Sequence, residues 1–435
     1  MKHSAKVKHL YARAGFGITP KELQKLTKKS IPELVNKLVI NQEGDIANLI
    51  DFGQVLAGKR RSEMTDAERK EFRRKNLMGL QNIRKEWIEK MAFSPYPFAQ
   101  KMTLFWHGHF ACHTIFSGLA QRYVSAIHKN CIGNFKTLVL AISKSPAMIQ
   151  YLNNQQNKKN SPNENFAREL LELFTIGRGH YTEEDIKEAA RAFTGWSSNL
   201  KGEYVFRPFI HDYGKKTFMG KTGKFGGEDI VNIILNQKQT AYFISEKVFK
   251  FFVHDQVNRS QVEELADVFY QNKFDIKKLM KHLLNADWFY DPAYVGNQIK
   301  SPIVLIATMM KQLNLRFNDP KSVDYIQRSL GQILIKPPNV AGWPGGRAWI
   351  DNATLMLRLN LAHFLFNQSE IDLNVKTAAE ALTNREKISK LKASINLGQI
   401  KKLMKDESKS KWPQILADYL LNQKIDISKK LINAN

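Results

Sequence analysis

The sequence predicts a mainly α-helical protein, a large multi-helix body with a small β-hairpin insertion. Helix-start signals support this: residues 19–22 and 161–164 place Thr or Ser before Pro, with Glu three residues after the cap, and 182–185 is a weaker version. Helical patterns recur along the chain. The alternation typical of a strand is confined to 204–209, and the Gly- and Lys-rich stretch 214–227 can complete a hairpin.

Composition indicates a globular chain. Its 435 residues are 43% hydrophobic and 25% charged, which excludes a disordered protein and allows a large core. The two cysteines, Cys112 and Cys131, are too few for a disulfide scaffold or a cysteine-rich metal site. We divide the chain into a body at 1–367, with the β insertion near 203–227, and an accessory Lys-rich helical segment at 368–435.

The net charge of +25 favours an anionic ligand or partner. Basic residues between 59 and 75 are interleaved with acids, as on a solvated helix surface, and no nucleic-acid-binding motif is present. We therefore rank nucleic-acid binding last among the functions considered.

No apolar stretch approaches the roughly 20 residues that span a bilayer, and none resembles a signal-peptide core. We accordingly expect no transmembrane segment. The expected location is the cytoplasm, with export in the company of a partner as the alternative.

The predicted helix at 162–176 is the most informative segment. On a helical wheel Asn165, Arg168, Glu169 and Glu172 lie on one side, opposite an apolar face. Two carboxylates so spaced can chelate a metal or divide acid and base roles, and Arg168 can hold an anion. The alternative is a solvated face on which Arg168 pairs with Glu172.

Histidines form the second candidate group. His107 and His109 can share a metal only if the chain is extended or broken at Gly108. If a helix continues through them, His109 and His113 become the possible pair. Their aromatic neighbours equally suit hydrogen-bonded core histidines.

Two further segments carry candidate residues. His211 and Asp212 follow the predicted strand, a plausible place for acid–base chemistry or metal ligation. The Pro-, Gly- and Trp-rich loop at 336–350 is either a ligand platform, with Trp343 and an anion-binding Arg347, or a structural plug between helices.

Several of these segments together resemble the bacterial family catalogued as domain of unknown function 1800. The resemblance rests on HLYARAGFG at 9–17, FWHGHF at 105–110, ENFARELLEL at 164–173, RAFTGW at 191–196, HD at 211–212, KSP at 300–302 and the loop at 337–350. The resemblance implies a predominantly helical protein of unassigned activity, often encoded beside a sulfatase- or phosphatase-like protein. Family members commonly have Asn at position 108 and His at 174, where this chain has Gly108 and Phe174.

The leading functional hypothesis is an enzyme, a hydrolase or oxidoreductase, that acts on an anionic substrate. Its predicted site combines catalytic Arg168, Glu169, Glu172 and Asp212, metal-binding His107, His109 and His211, and substrate-binding Trp343 and Arg347. Histidine and carboxylate ligands would suit a divalent transition metal such as zinc, iron or manganese. The alternative is a non-catalytic helical partner of the sulfatase-like protein.

Overall fold

The computed structural model describes residues 1–40, 63–367, 391–423 and 425–427. Within these ranges the chain forms 19 α-helices and three two-stranded sheets, which confirms the mainly α fold class. No helix in the described ranges is long and apolar enough to cross a membrane.

The helices follow one another with short connections. They are α1 (His3–Arg13), α2 (Pro20–Leu26), α3 (Ile31–Leu38), α4 (Asp66–Phe93), α5 (Pro97–His109), α6 (Ser117–Asn130), α7 (Phe135–Ser143), α8 (Pro146–Tyr151), α9 (Asn165–Glu169), α10 (Glu183–Ala192), α11 (Gly227–Leu235), α12 (Lys238–Phe252), α13 (Arg259–Gln271), α14 (Ile276–Asn285), α15 (Pro302–Leu313), α16 (Pro320–Ser329), α17 (Asn352–Asn367), α18 (Gly398–Met404) and α19 (Trp412–Leu420).

Capping explains several of these starts. The predicted capping boxes at Thr19 and Thr182 both form, each with reciprocal side-chain and backbone bonds to the residue three positions on. The one predicted at Ser161 is wrong. Ser161 lies in a bridge with Lys158, and α9 begins later, where the backbone amide of Asn165 donates to the side chain of Asn163 at 3.1 Å.

Helix α5 runs through the centre of the body. Every residue from Phe98 to His107 is buried, as expected for a helix that other elements surround on all sides. It contacts α4 and α6, and the 28-residue α4 in turn contacts α15 and α16. Side chains at the C-terminal half of α5 are therefore held rigidly from several directions.

The predicted β insertion consists of two hairpins. Strand β1 (Trp196–Ser198) pairs with β2 (Tyr204–Phe206), and β3 (Lys216–Phe218) pairs with β4 (Lys221–Gly223), both antiparallel. Met219 and Gly220 connect β3 to β4 with φ of 47° and 75°, and two positive angles are typical of a tight hairpin turn.

A third sheet, not predicted, joins distant parts of the chain. Strand β5 (Leu315–Phe317) pairs with β6 (Ala393–Ile395). Nearby, the hydroxyl of Tyr419 donates to the carbonyl of Gln312 at 3.0 Å. The predicted boundary at 367/368 borders residues outside the described ranges, but the described residues beyond it pack against the body.

Candidate functional site

A cavity of about 530 Å3 opens where α5, the end of α12, the start of α15 and the loop at 341–349 meet. We call it the cationic cavity, because its charged lining residues are mostly basic. Those charged or ionisable side chains are Lys101, His109, Lys247, Lys250, His254, Asp255, Lys300 and Arg347. Asp255 is the one acid among the described residues that line it.

Helix geometry brings these side chains together. Lys101, Phe105 and His109 are four residues apart on α5 and share one face. On α12 and just beyond it, Lys247, Phe251 and His254 share a face in the same way. Each helix therefore presents one cation, one aromatic ring and one imidazole to the cavity.

Three cations lie together at one end of the cationic cavity, and we call them the cation cluster: Arg13, Lys101 and Lys300. Arg13 is buried behind the wall and donates to the side chain of Asn297, a lining residue, at 3.0 Å and to the carbonyl of Tyr294 at 2.6 Å. Its Nη1 has no hydrogen-bond partner among the described residues.

Burial and mutual repulsion act on this cluster. Burial, then the charges of Arg13 and Lys300, hold the pKa of Lys101 well below the ordinary value. Burial and Arg13 likewise lower the pKa of Lys300. No carboxylate among the described residues opposes either shift. The unliganded cavity therefore disfavours its own positive charge.

His109 is fixed as a neutral imidazole. Its Nε2 lies 2.9 Å from the carbonyl oxygen of Phe174, which can only accept, so Nε2 carries the proton. Burial and the charge of Lys247 lower the pKa of His109 to about 3. At neutral pH Nδ1 is therefore a hydrogen-bond acceptor on a side chain that lines the cavity.

The Trp343 loop closes one side of the cavity. Gly342 has a φ of +81°, and a Cβ there would lie 2.4 Å from the carbonyl oxygen of Gly108, so only glycine fits against the end of α5. The sequence-predicted residues Trp343 and Arg347 both line the cavity. Their predicted role in substrate binding stays a prediction.

His107 lies behind this loop and does not line the cavity. Its ring stacks on Trp343 with centroids 5.3 Å apart, and Nε2 accepts the backbone N–H of Ile335 at 3.1 Å. Because α5 continues through Gly108, His107 and His109 point in different directions, and His113 lies beyond the helix end. The structure thus gives His107 a packing role rather than a shared metal.

Arg168, Glu169 and Glu172 form a separate cluster outside the cavity lining. Arg168 donates to both oxygens of Glu183 at 2.9 Å and 2.8 Å, and Glu172 binds Arg178 and the hydroxyl of Tyr181. The predicted pairing of Arg168 with Glu172 is therefore replaced by other partners.

The cause is local geometry. The helix widens after Glu169 into a π-helix at Leu170–Thr175, which alters the angular positions expected for a regular α-helix. Glu169 lies just before this turn, and burial, followed by the charge of Glu172, raises its pKa.

His211 and Asp212 belong to a third cluster, at the β insertion. His211 is buried and its Nδ1 lies 2.8 Å from the carbonyl oxygen of Thr194, which accepts its proton. Asp212 accepts from Arg191 at 2.7 Å. Burial opposes ionisation of Asp212, but the hydrogen bond from Arg191 lowers its pKa overall. These contacts tie the insertion to α10.

The predicted metal ligands therefore do not converge. Within the described ranges, no group of three or more His, Cys, Asp or Glu side chains is arranged to hold a metal ion. His107, His109 and His211 lie in three different settings, so these residues do not fit a divalent metal, and we derive no step through one.

The cation cluster was missed by sequence reasoning. A buried lysine has no local pattern that separates it from an exposed one. The available signal was the family resemblance, since Arg13 lies in the segment at 9–17 and Lys300 in the segment at 300–302.

Comparison with known proteins extends that resemblance. The family model described as "Protein of unknown function (DUF1800)" matches residues 9–428, nearly the whole chain. Neither the comparison with curated proteins nor the comparison with solved structures found a match. The chain therefore belongs to the family of proteins of unknown function DUF1800.

Proposed function

We propose that this protein binds a small organic anion in the cationic cavity. The observation that carries the proposal is the cation cluster, in which Arg13, Lys101 and Lys300 lie close together with no carboxylate partner among the described residues. Burying like charges without a counterion is unfavourable, so an anion at this point would stabilise the folded protein.

The remaining walls favour an organic ligand over a bare inorganic ion. Aromatic side chains of Phe105, Phe251, Trp343 and Trp349 line the cavity. A volume of about 530 Å3 is in the range that holds small molecules and is too small for a polymer. The ligand we propose has an anionic group at the cation cluster and an apolar or aromatic portion against these rings.

Catalysis on this ligand is the part of the enzyme hypothesis that the cavity supports. His109 offers an acceptor nitrogen beside the basic side chains, whereas Arg168, Glu169, Glu172 and Asp212 lie outside the lining. A pKa of about 3 makes His109 a weak base, so we assign it to orienting a hydrogen-bond donor of the ligand.

Calorimetric titration with phenyl phosphate tests the proposal, with uncharged benzyl alcohol as the matched ligand. We expect phenyl phosphate to bind and benzyl alcohol not to. Lys300→Met removes one charge-assisted contact and should weaken binding about tenfold or more. Lys221→Met, on exposed β4, is the control and should leave the affinity unchanged. Equal affinity in all three proteins, or no binding at millimolar ligand, would contradict the proposal.

The non-catalytic partner stays a second candidate because of one surface. Phe209 and Tyr213 of the β insertion are 71% and 60% exposed, and exposed aromatic rings are enriched where proteins bind one another. If a sulfatase-like protein docks there, the double variant Phe209→Ser/Tyr213→Ser should lose co-purification with the co-expressed neighbour. Retained co-purification would remove the insertion from consideration.

A further inference from the structure

We propose that Lys101 is a nucleophilic amine that forms an imine with a carbonyl group on the bound anion. The ligand class is thus a small aldehyde or ketone that also carries a carboxylate or phosphate. The inference rests on the proposed function, because it uses the same cavity and requires the anion to be held there.

A second buried lysine shows what is unusual about Lys101. Lys216 is only 1% exposed, yet its Nζ donates to the carbonyls of Asp212 at 2.6 Å and Gly214 at 3.1 Å. It has a structural role, since it holds a turn of the insertion together.

Lys101 has no such partners. It is 3% exposed, and its Nζ lies over the ring of Phe16, 4.6 Å from the centroid, and 6.0 Å from that of Phe251. The structure gives it neither a hydrogen bond nor an ion pair with any described residue. A buried amine that holds nothing together but lines a cavity is available for chemistry.

The neighbours of Lys101 supply the conditions for an amine nucleophile. Only the unprotonated amine attacks a carbonyl, and a lysine that is desolvated and placed beside other cations loses its proton most easily. Burial, Arg13 and Lys300 all act in this direction on the pKa of Lys101. Arg13 remains protonated, because burial lowers its pKa only to about 10.

This arrangement divides the work between the three cations. Arg13 and Lys300 hold the anionic group, and the unpartnered Nη1 of Arg13 is one donor for it. The carbonyl carbon of the same ligand then faces Lys101. An anionic group thus selects the ligand and positions its carbonyl at the amine.

The reaction needs no oxidant or reductant. The lone pair of Nζ forms a bond to the carbonyl carbon while the C=O π electrons move to oxygen, giving a carbinolamine. The C–O bond then breaks, and the oxygen leaves as water with the two hydrogens that were on nitrogen. The product is a C=N bond, and addition of water reverses each step.

Reductive trapping of the full-length protein tests this. Glyoxylate, a small anionic aldehyde, is incubated with the protein and cyanoborohydride at pH 7, and modified lysines are identified and timed by peptide mass spectrometry. We expect Lys101 to be labelled at least tenfold faster than exposed lysines such as Lys221. Acetaldehyde, which has no anionic group, should show no preference for Lys101, and saturating phenyl phosphate should protect it.

Lys101→Arg is the matched variant, because it keeps the positive charge and removes the nucleophile. It should bind phenyl phosphate within about threefold of wild type and lose the fast labelling phase. If wild type binds phenyl phosphate but Lys101 is labelled no faster than Lys221, the imine is refuted and the binding proposal stands. If phenyl phosphate neither binds nor protects, both fail. The protection measurement on wild type decides the matter even if the variant does not fold.

Discussion

Replacing Lys101 by Met should make the unliganded protein more stable, by an amount that depends on pH. Met fills the volume of the lysine stem without a buried amine, and hydrophobic replacements of buried charged groups are often stabilising. Lys101 has a lowered pKa in the folded protein, so the unfolded chain binds more protons between that pKa and about 10.4. In this window wild-type stability rises with pH, and that of the variant lacks this contribution.

The magnitude follows from the linkage between protons and folding. One group that is neutral when folded and charged when unfolded contributes about 1.4 kcal/mol per pH unit. Between pH 8.0 and pH 9.5 the stability advantage of Lys101→Met over wild type should therefore shrink by about 2 kcal/mol. Other titrating groups are common to both proteins and cancel in the difference.

Urea denaturation at the two pH values measures this difference. Lys221→Met is the control, because an exposed lysine titrates alike in the folded and unfolded states, and its difference from wild type should not change with pH. An advantage of Lys101→Met that is the same at both pH values would refute the reasoning, since it would mean that Lys101 stays protonated in the folded protein.

Three further predictions concern the elements that surround the cavity. Gly342→Ala should destabilise the protein by about 2 kcal/mol or more and weaken phenyl phosphate binding, because its Cβ would strike the end of α5 at positive φ, whereas Gly345→Ala, which meets nothing within 4 Å, should do neither in urea denaturation and calorimetry. Arg84→Met breaks a buried ion pair of 2.6 Å with Asp324 and should cost about 3–5 kcal/mol in the same unfolding measurement, part of which the additional Asp324→Leu should restore. Burial lowers the pKa of His107 to about 3, so the unfolded chain binds the extra proton below pH 6.5; wild type should lose about 1.4 kcal/mol per pH unit relative to His107→Gln from pH 6 to pH 4, and parallel curves would contradict this.

Local signals made the fold class predictable. The capping boxes at Thr19 and Thr182 depend on residues three apart, and both form as the sequence indicated. Two features were beyond such reasoning. The β5–β6 pairing joins residues far apart in the chain, and the π-helix at Leu170–Thr175 arises where the helix meets its surroundings.

The site was predictable only in part, for a similar reason. His109, Trp343 and Arg347 do line the cavity, and an anionic ligand was expected from the charge. The carboxylates of the 162–176 segment have arginine and tyrosine partners that no local pattern reveals. The three chain segments that bring Arg13, Lys101 and Lys300 together meet only in the folded protein.

The central claim is that an organic anion binds against these buried lysines, and proton uptake on binding tests it most directly. Phenyl phosphate is titrated calorimetrically at pH 8 in two buffers of different ionisation enthalpy, with wild type and Lys101→Met. An anion beside Lys101 and Lys300 raises their pKa values, so we predict net proton uptake by wild type and less uptake by the variant. Binding without proton uptake, or uptake that is identical in the two proteins, would contradict the account.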